Sequence, residues 1–143
     1  MRGRVMFHLL DTFPALHMIG VDKWECAEEY EDRDMPELGR KVMAASAEYG
    51  ERARIIHADT ITAAAQVLDD SLDFIFIDAA HDTDSVMADI KAWEPKVKDS
   101  GFIAGHDINM ESVRKAVDTW FSSYRVLPDN VWLAEPQYLR ATP

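Results

Sequence analysis

Apolar and polar positions alternate along this chain with two different periods. "LHMIGVD" (16–22), "ARIIHAD" (53–59), "LDFIFID" (72–78) and "GFIAGHD" (101–107) are short, apolar and rich in β-branched or aromatic residues, a pattern that predicts strands. Between them the repeat lengthens to helical spacing. Leu38, Val42, Ala45 and Tyr49 predict a helix with Pro36 in its first turn and Gly50 as its stop. Val86, Ile90 and Trp93 predict a second, capped by Thr83 or Asp84 and ended by Pro95. A third runs through Val113, Ala116, Val117, Trp120 and Phe121, and a short one covers Thr60 to Leu68. Arg4 to Leu10 reads as the back of one more, stopped before Pro14. The tail "YRVLPDNVWLAEP" holds two short strand candidates around a Pro-Asp-Asn turn, an antiparallel hairpin at one sheet edge. Strand–helix alternation, with strands apolar on both faces, predicts an α/β fold: a doubly wound, mostly parallel sheet covered by helices on each side.

Each of the four long strand candidates ends on an aspartate: Asp22, Asp59, Asp78 and Asp107. In one parallel sheet those carboxylates project from a single edge, and ligands of open α/β sheets bind outside that edge. A lone aspartate there is accounted for by helix capping and turn formation. Several on one rim repel one another unless a cation or a donor-rich ligand offsets the charge.

Length and composition narrow the classes. The 143 residues suit one domain, 1–143, and 48% apolar with 29% charged residues is ordinary for a globular protein. No apolar run approaches the roughly 20 residues that span a bilayer. "MRGRVMFHLLDTFP" carries Asp11 and Phe13 where a leader would place small residues, so no cleavable signal is expected. The single cysteine, Cys26, excludes an internal disulfide and suits a reducing cytoplasm. A formal charge of −11 disfavours nucleic acid and anionic membranes as partners. Much of the excess lies in "ECAEEYEDRDMPE" (25–37), which reads as a solvated loop, with an acidic lid as the alternative.

The acids suggest separate tasks. An acid ending the second strand of a nucleotide-binding unit accepts from ribose hydroxyls, which suits Asp22. Asp59 accepts from an exocyclic amine or caps the helix that follows. Asp78 and Asp107, on neighbouring strands, offer hard oxygens to a divalent cation. The imidazole of His81 suits a general base, although a histidine after a strand also serves as a helix-start residue. His106 either acts in the site or orients Asp107, and His8, His17 and His57 read as structural.

"GVDKW", "HADT", "DFIFIDAAHDTDSVMADIKAWEPKVKDSGFIAGHD" and "VWLAE" resemble class I S-adenosylmethionine-dependent methyltransferases, above all a small bacterial and phage group with IDxxH…GHD motifs. The resemblance covers nearly the whole chain and is most specific from Asp73 to Asp107. It implies a Rossmann-like methyltransferase sheet and a cofactor held by Gly3, Asp22, Asp59 and Asp78. The metal-dependent catechol-type and caffeoyl-CoA-type O-methyltransferases are similar at greater distance. They imply a metal, Mg2+ or another divalent cation, on Asp78 and Asp107, and they carry a catalytic lysine where this chain has His81. The asparagine that follows their second metal aspartate is replaced by Ile108.

One departure stands out. The sequence contains no G-x-G-x-x-G, and only Gly3 matches the last glycine of the family's cofactor loop. The first strand, normally central in the sheet, is not found, so an unpaired gap is expected. A fragment of a longer product, a strand from a partner chain and a degenerate relative each account for this, and a homodimer would suit such a gap. The expected activity is methyl transfer to a hydroxyl, less readily an amine, of a small polar acceptor. The rivals are a non-catalytic Rossmann-like interaction domain and, ranked last, a metal-dependent hydrolase using the His81-Asp82 and His106-Asp107 pairs.

Overall fold

A computed structural model describes residues 3–25 and 34–135. Most of the acidic run, including Cys26, lies outside the described residues. The chain forms two compact units, Met1–Ala63 and Ala64–Pro143.

The first unit contains α1 (Arg4–Thr12), β1 (Met18–Asp22), α2 (Met35–Ser46), β2 (Ala53–His57) and most of α3 (Thr60–Ala64). β1 and β2 are parallel, in register from Met18 opposite Ala53 to Asp22 opposite His57. Met6 and Leu10 of α1 pack with Ala53, and Phe7 stacks on Tyr49 with ring centroids 5.5 Å apart. Asp34 caps α2 by accepting from the Glu37 N–H (2.9 Å), and Pro36 occupies the first turn as expected. A 3-10 turn, Ala47–Arg52, continues α2 until Gly50 breaks it at φ 58°.

The buried face of α2 differs from the expected stripe. Met35, Gly39, Val42 and Ser46 are buried, whereas Leu38, Ala45 and Tyr49 are only partly so. The cause is Trp24, buried just after β1 against Met35 and Val42. A Cβ on Gly39 would lie 2.7 Å from the Trp24 ring, so the helix turns its glycine toward the indole. Neither Gly39 nor Ser46 registers as apolar, which is why periodicity misses this face.

The second unit contains β3 (Leu72–Ile77), α4 (Thr83–Trp93), β4 (Val97–Gly105), α5 (Glu111–Trp120), β5 (Arg125–Leu127) and β6 (Val131–Ala134). Its sheet has the order β3-β4-β6-β5, with β3 and β4 parallel and the last two strands an antiparallel hairpin. Asp129 and Asn130 both take left-handed φ (60° and 59°), the conformation that a tight hairpin turn demands. Val86, Ile90 and Trp93 of α4 and Val113, Ala116 and Val117 of α5 are buried as the stripes predict. Fully buried Trp132 packs against Phe121, ring centroids 5.8 Å apart.

The α/β architecture is as expected. The strands form two sheets, with orders β1-β2 and β3-β4-β6-β5. The short helix ends at Ala64, before Leu68, and β4 begins at Val97, four residues before Gly101. Asp82, not Thr83 or Asp84, caps α4, its carboxylate accepting from the Ser85 N–H at 2.9 Å. Helices do not cover both faces of the second sheet. Ile75 and Ile103 are buried on one face, while their neighbours Phe74, Phe76 and Phe102 stay 51%, 46% and 40% exposed on the other.

Candidate active site

In the second unit β3 ends at Ile77 and delivers Asp78 to the carboxyl edge of the sheet. His81 follows in the short turn before the Asp82 cap. β4 ends beside it, because the His106 N–H donates to the Ile77 carbonyl (3.1 Å) and carries the parallel pairing one residue further. Asp107 then turns the chain toward α5 at φ 59°, with its carbonyl accepting from the Met110 N–H (2.9 Å). A non-glycine residue in the left-handed region is strained, and such strain gathers at functional sites.

That turn sets the Asp107 carboxylate between two imidazoles. Its Oδ2 lies 2.9 Å from His81 Nε2, and its Oδ1 lies 3.0 Å from His106 Nδ1. One ligand atom each from Asp78, His81 and Asp107 falls within a 4.8 Å set. A cavity of about 10 Å³ lies among Asp78, His81, His106, Asp107 and Trp132. That space is at the lower limit for one water molecule. Two carboxylate oxygens and an imidazole nitrogen at this separation suit a divalent cation. The expectation that His106 orients its neighbour agrees with the contact observed.

Electrostatics separate the two groups beside Asp107. Burial raises the Asp78 pKa, and the Asp107 charge adds to the rise while His106 and His81 oppose it. The folded state therefore favours neutral Asp78, and the stability from that preference is lost as pH rises through its folded pKa. Asp78→Asn is expected to raise Tm at neutral pH; a lower Tm in differential scanning calorimetry would contradict this. For His106, desolvation pulls the pKa down, but the hydrogen bond and charge of Asp107, the charge of Asp78 and the Asp129 backbone together raise it. Its stabilising contribution is complete below the ordinary histidine pKa and fades as pH rises through the raised value. Urea midpoints should accordingly fall between weakly acidic and alkaline pH, and His106→Ala should flatten the fall.

The first unit holds the other candidates. Asp22 ends β1 half-buried, its Oδ1 accepting from the Trp24 N–H at 2.8 Å. Asp59 caps α3, accepting from the Thr62 N–H at 2.9 Å, and hydrogen bonding from the Thr62 side chain first and its backbone second holds its pKa below the usual value. Of its two expected roles, capping is the one that the structure displays. Asp59→Ala should lower Tm through loss of the cap, measured by calorimetry, and its S-adenosylhomocysteine affinity reads the adenine role separately. Gly3 adopts φ 68° immediately before α1, and a Cβ there would lie 2.7 Å from the Phe7 ring. His57 is structural as expected, its Nε2 2.9 Å from the Lys23 carbonyl and its ring edge-on to Trp24.

Residues 2–108 match the family described as a methyltransferase domain. The chain belongs to this family. It is an S-adenosylmethionine-dependent methyltransferase, and the matched segment contains Gly3, Asp22, Asp59, Asp78, His81 and Asp107. Solved structures agree in fold. A Corynebacterium glutamicum protein is 12% identical at TM-score 0.63, over 94% of this methyltransferase and 67% of that chain. A proposed caffeoyl-CoA O-methyltransferase from Staphylococcus aureus is 16% identical at TM-score 0.61, over 92% and 70% of the two chains. The TDP-rhamnose 3'-O-methyltransferase of calicheamicin biosynthesis is 12% identical at TM-score 0.63, over 94% and 67%. This methyltransferase thus spans about two thirds of each of those three chains. No curated protein matches it. Among its described residues, no helix is long and apolar enough to cross a membrane.

Proposed function

We propose that this methyltransferase transfers a methyl group to a hydroxyl, less readily an amine, of a small polar acceptor, with His81 as general base. The observation that carries this reading is the 2.9 Å contact of His81 Nε2 with Asp107 Oδ2, beside Asp78 at the end of β3. A carboxylate on one ring nitrogen fixes the imidazole's orientation and stabilises the charge it acquires when it takes a proton. His106 anchors that carboxylate from its other side. The spacing of Asp78, His81 and Asp107 supports the IDxxH…GHD group as the chain's branch of that family.

Bound S-adenosylmethionine supplies a methyl already activated by the sulfonium, so the protein's part is alignment and proton removal. In the first unit Asp22 suits ribose hydroxyls, since its carboxylate is held by the Trp24 N–H. Gly3 supplies a left-handed turn ahead of α1. In the second unit Asp78 and Asp107 would hold a divalent cation, which lowers the pKa of a hydroxyl ligand.

Titration calorimetry with S-adenosylhomocysteine tests cofactor binding. Heat that disappears in Asp22→Ala supports the reading, whereas no heat with the native protein favours a non-catalytic interaction domain. Release of S-adenosylhomocysteine with catechols, sugar hydroxyls and amines, each with Mg2+ or a chelator, tests the acceptor class. Turnover on amines alone would overturn the hydroxyl assignment. Equal rates with Mg2+ and chelator would remove the metal.

A further inference from the structure

The turn that carries His81 is also held from α5. Ser112, in the first turn of α5, donates its hydroxyl to the His81 carbonyl at 2.5 Å. Thr83, the first residue of α4, donates its own hydroxyl to the Ser112 carbonyl at 3.0 Å. Both bonds are partly buried. The first helical bond of α4 goes from the Val86 N–H to the Asp82 carbonyl (3.1 Å), so the carbonyl of His81 lies outside that ladder. The segment leading from β4 into α5 therefore grips His81 twice. Asp107 holds the ring, and Ser112 holds the main chain.

We infer that Ser112 is a positioning residue for His81, with Thr83 locking Ser112 in turn. The inference rests on His81 being the base. A base must stand within hydrogen-bond reach of the acceptor proton, and a displacement of about 1 Å can cost on the order of a hundredfold in rate. His81 lies in a turn, outside the regular hydrogen bonding of β3 and α4. Two bonds from one neighbouring segment fix both ends of the residue. Ser112 also borders a shallow groove of about 500 Å³ with Thr83, Met110, Glu111 and Lys115, so direct acceptor contact is the rival explanation and must be separated from positioning.

Ser112→Ala and Ser112→Thr in the full chain provide that separation. In the protein alone, long-range proton–nitrogen correlation spectra should show the His81 imidazole resonances displaced in Ser112→Ala, restored in Ser112→Thr, and those of His57 unmoved in both. Unmoved His81 resonances in Ser112→Ala overturn the inference whether or not an acceptor is known. With a catechol or sugar acceptor that the native protein turns over, Ser112→Ala should lower kcat about ten- to a hundredfold, with acceptor KM and S-adenosylhomocysteine affinity within about twofold. Ser112→Thr should recover most of that rate. A raised KM at unchanged kcat makes Ser112 an acceptor contact and overturns the positioning role, as does a kcat loss that threonine does not rescue. His81→Ala, measured in parallel, distinguishes the two readings. Intact turnover in that variant removes the base and the positioning role together, whereas an inert Ser112→Ala beside a damaged His81→Ala removes the positioning role alone.

Discussion

Replacing His81 by alanine is expected to lower turnover by about 10²–10⁴-fold, the usual contribution of a positioned general base. Cofactor affinity should stay within about twofold, because the His81 ring is held by Asp107 and its proposed task is proton removal, not cofactor binding. Steady-state kinetics and S-adenosylhomocysteine calorimetry on the same preparation read the two quantities independently. Equal losses in both would make His81 a structural residue. His81→Lys sharpens the test, since an amine also accepts a proton but has an ordinary pKa about four units above that of imidazole. Partial activity with a pH optimum shifted upward is the expected outcome; a profile unchanged from the native one would place the base elsewhere.

Gly105→Ala should produce the largest loss of stability. A Cβ at this position would lie 2.6 Å from the Ile77 carbonyl oxygen and 2.6 Å from the Trp132 ring. One obstacle is backbone in the neighbouring strand, and the other is an indole only 1% exposed. Neither yields without moving β3 or β6. The expected cost is about 2–3 kcal/mol, a fall in Tm of roughly 6–12 °C, measured by urea denaturation and calorimetry. Because Gly105 directly precedes His106 and Asp107, cation or acceptor binding should suffer even where the variant folds. A Tm within 1 °C of native would show that the sheet relaxes around the methyl far more easily than its packing suggests.

The stretches most legible in the sequence were those whose local chemistry and tertiary role coincide. Gly50 stops the α2 segment and the Asp129-Asn130 turn closes the hairpin because each needs a left-handed backbone, a requirement written in residue type. Asp78, His81 and Asp107 could be read as one cluster because parallel strands bring the residues after their ends to the same edge. Less legible were contacts that depend on volume or on distant chain. Gly39 faces inward because Trp24 fills the space above it, which no periodicity in α2 encodes. Ser112 gave no signal, since a serine in a helix's first turn is ordinary and its acceptor, the His81 carbonyl, lies 31 residues away. Asp59 and Asp82 were assigned to α3 and α4 through the hydrogen bonds they form, and sequence had left the first choice open and placed the second cap one or two residues late.

By itself the sequence determined the alternating α/β order, the acids that follow the strands, and the family to which the chain belongs, because these follow from residue type and short-range spacing. Tertiary structure alone decided that Asp107 sits between two imidazoles and that Phe74, Phe76 and Phe102 remain exposed. Those outcomes depend on which strand lies beside which and on how closely side chains pack, and both are properties of residues far apart in the chain.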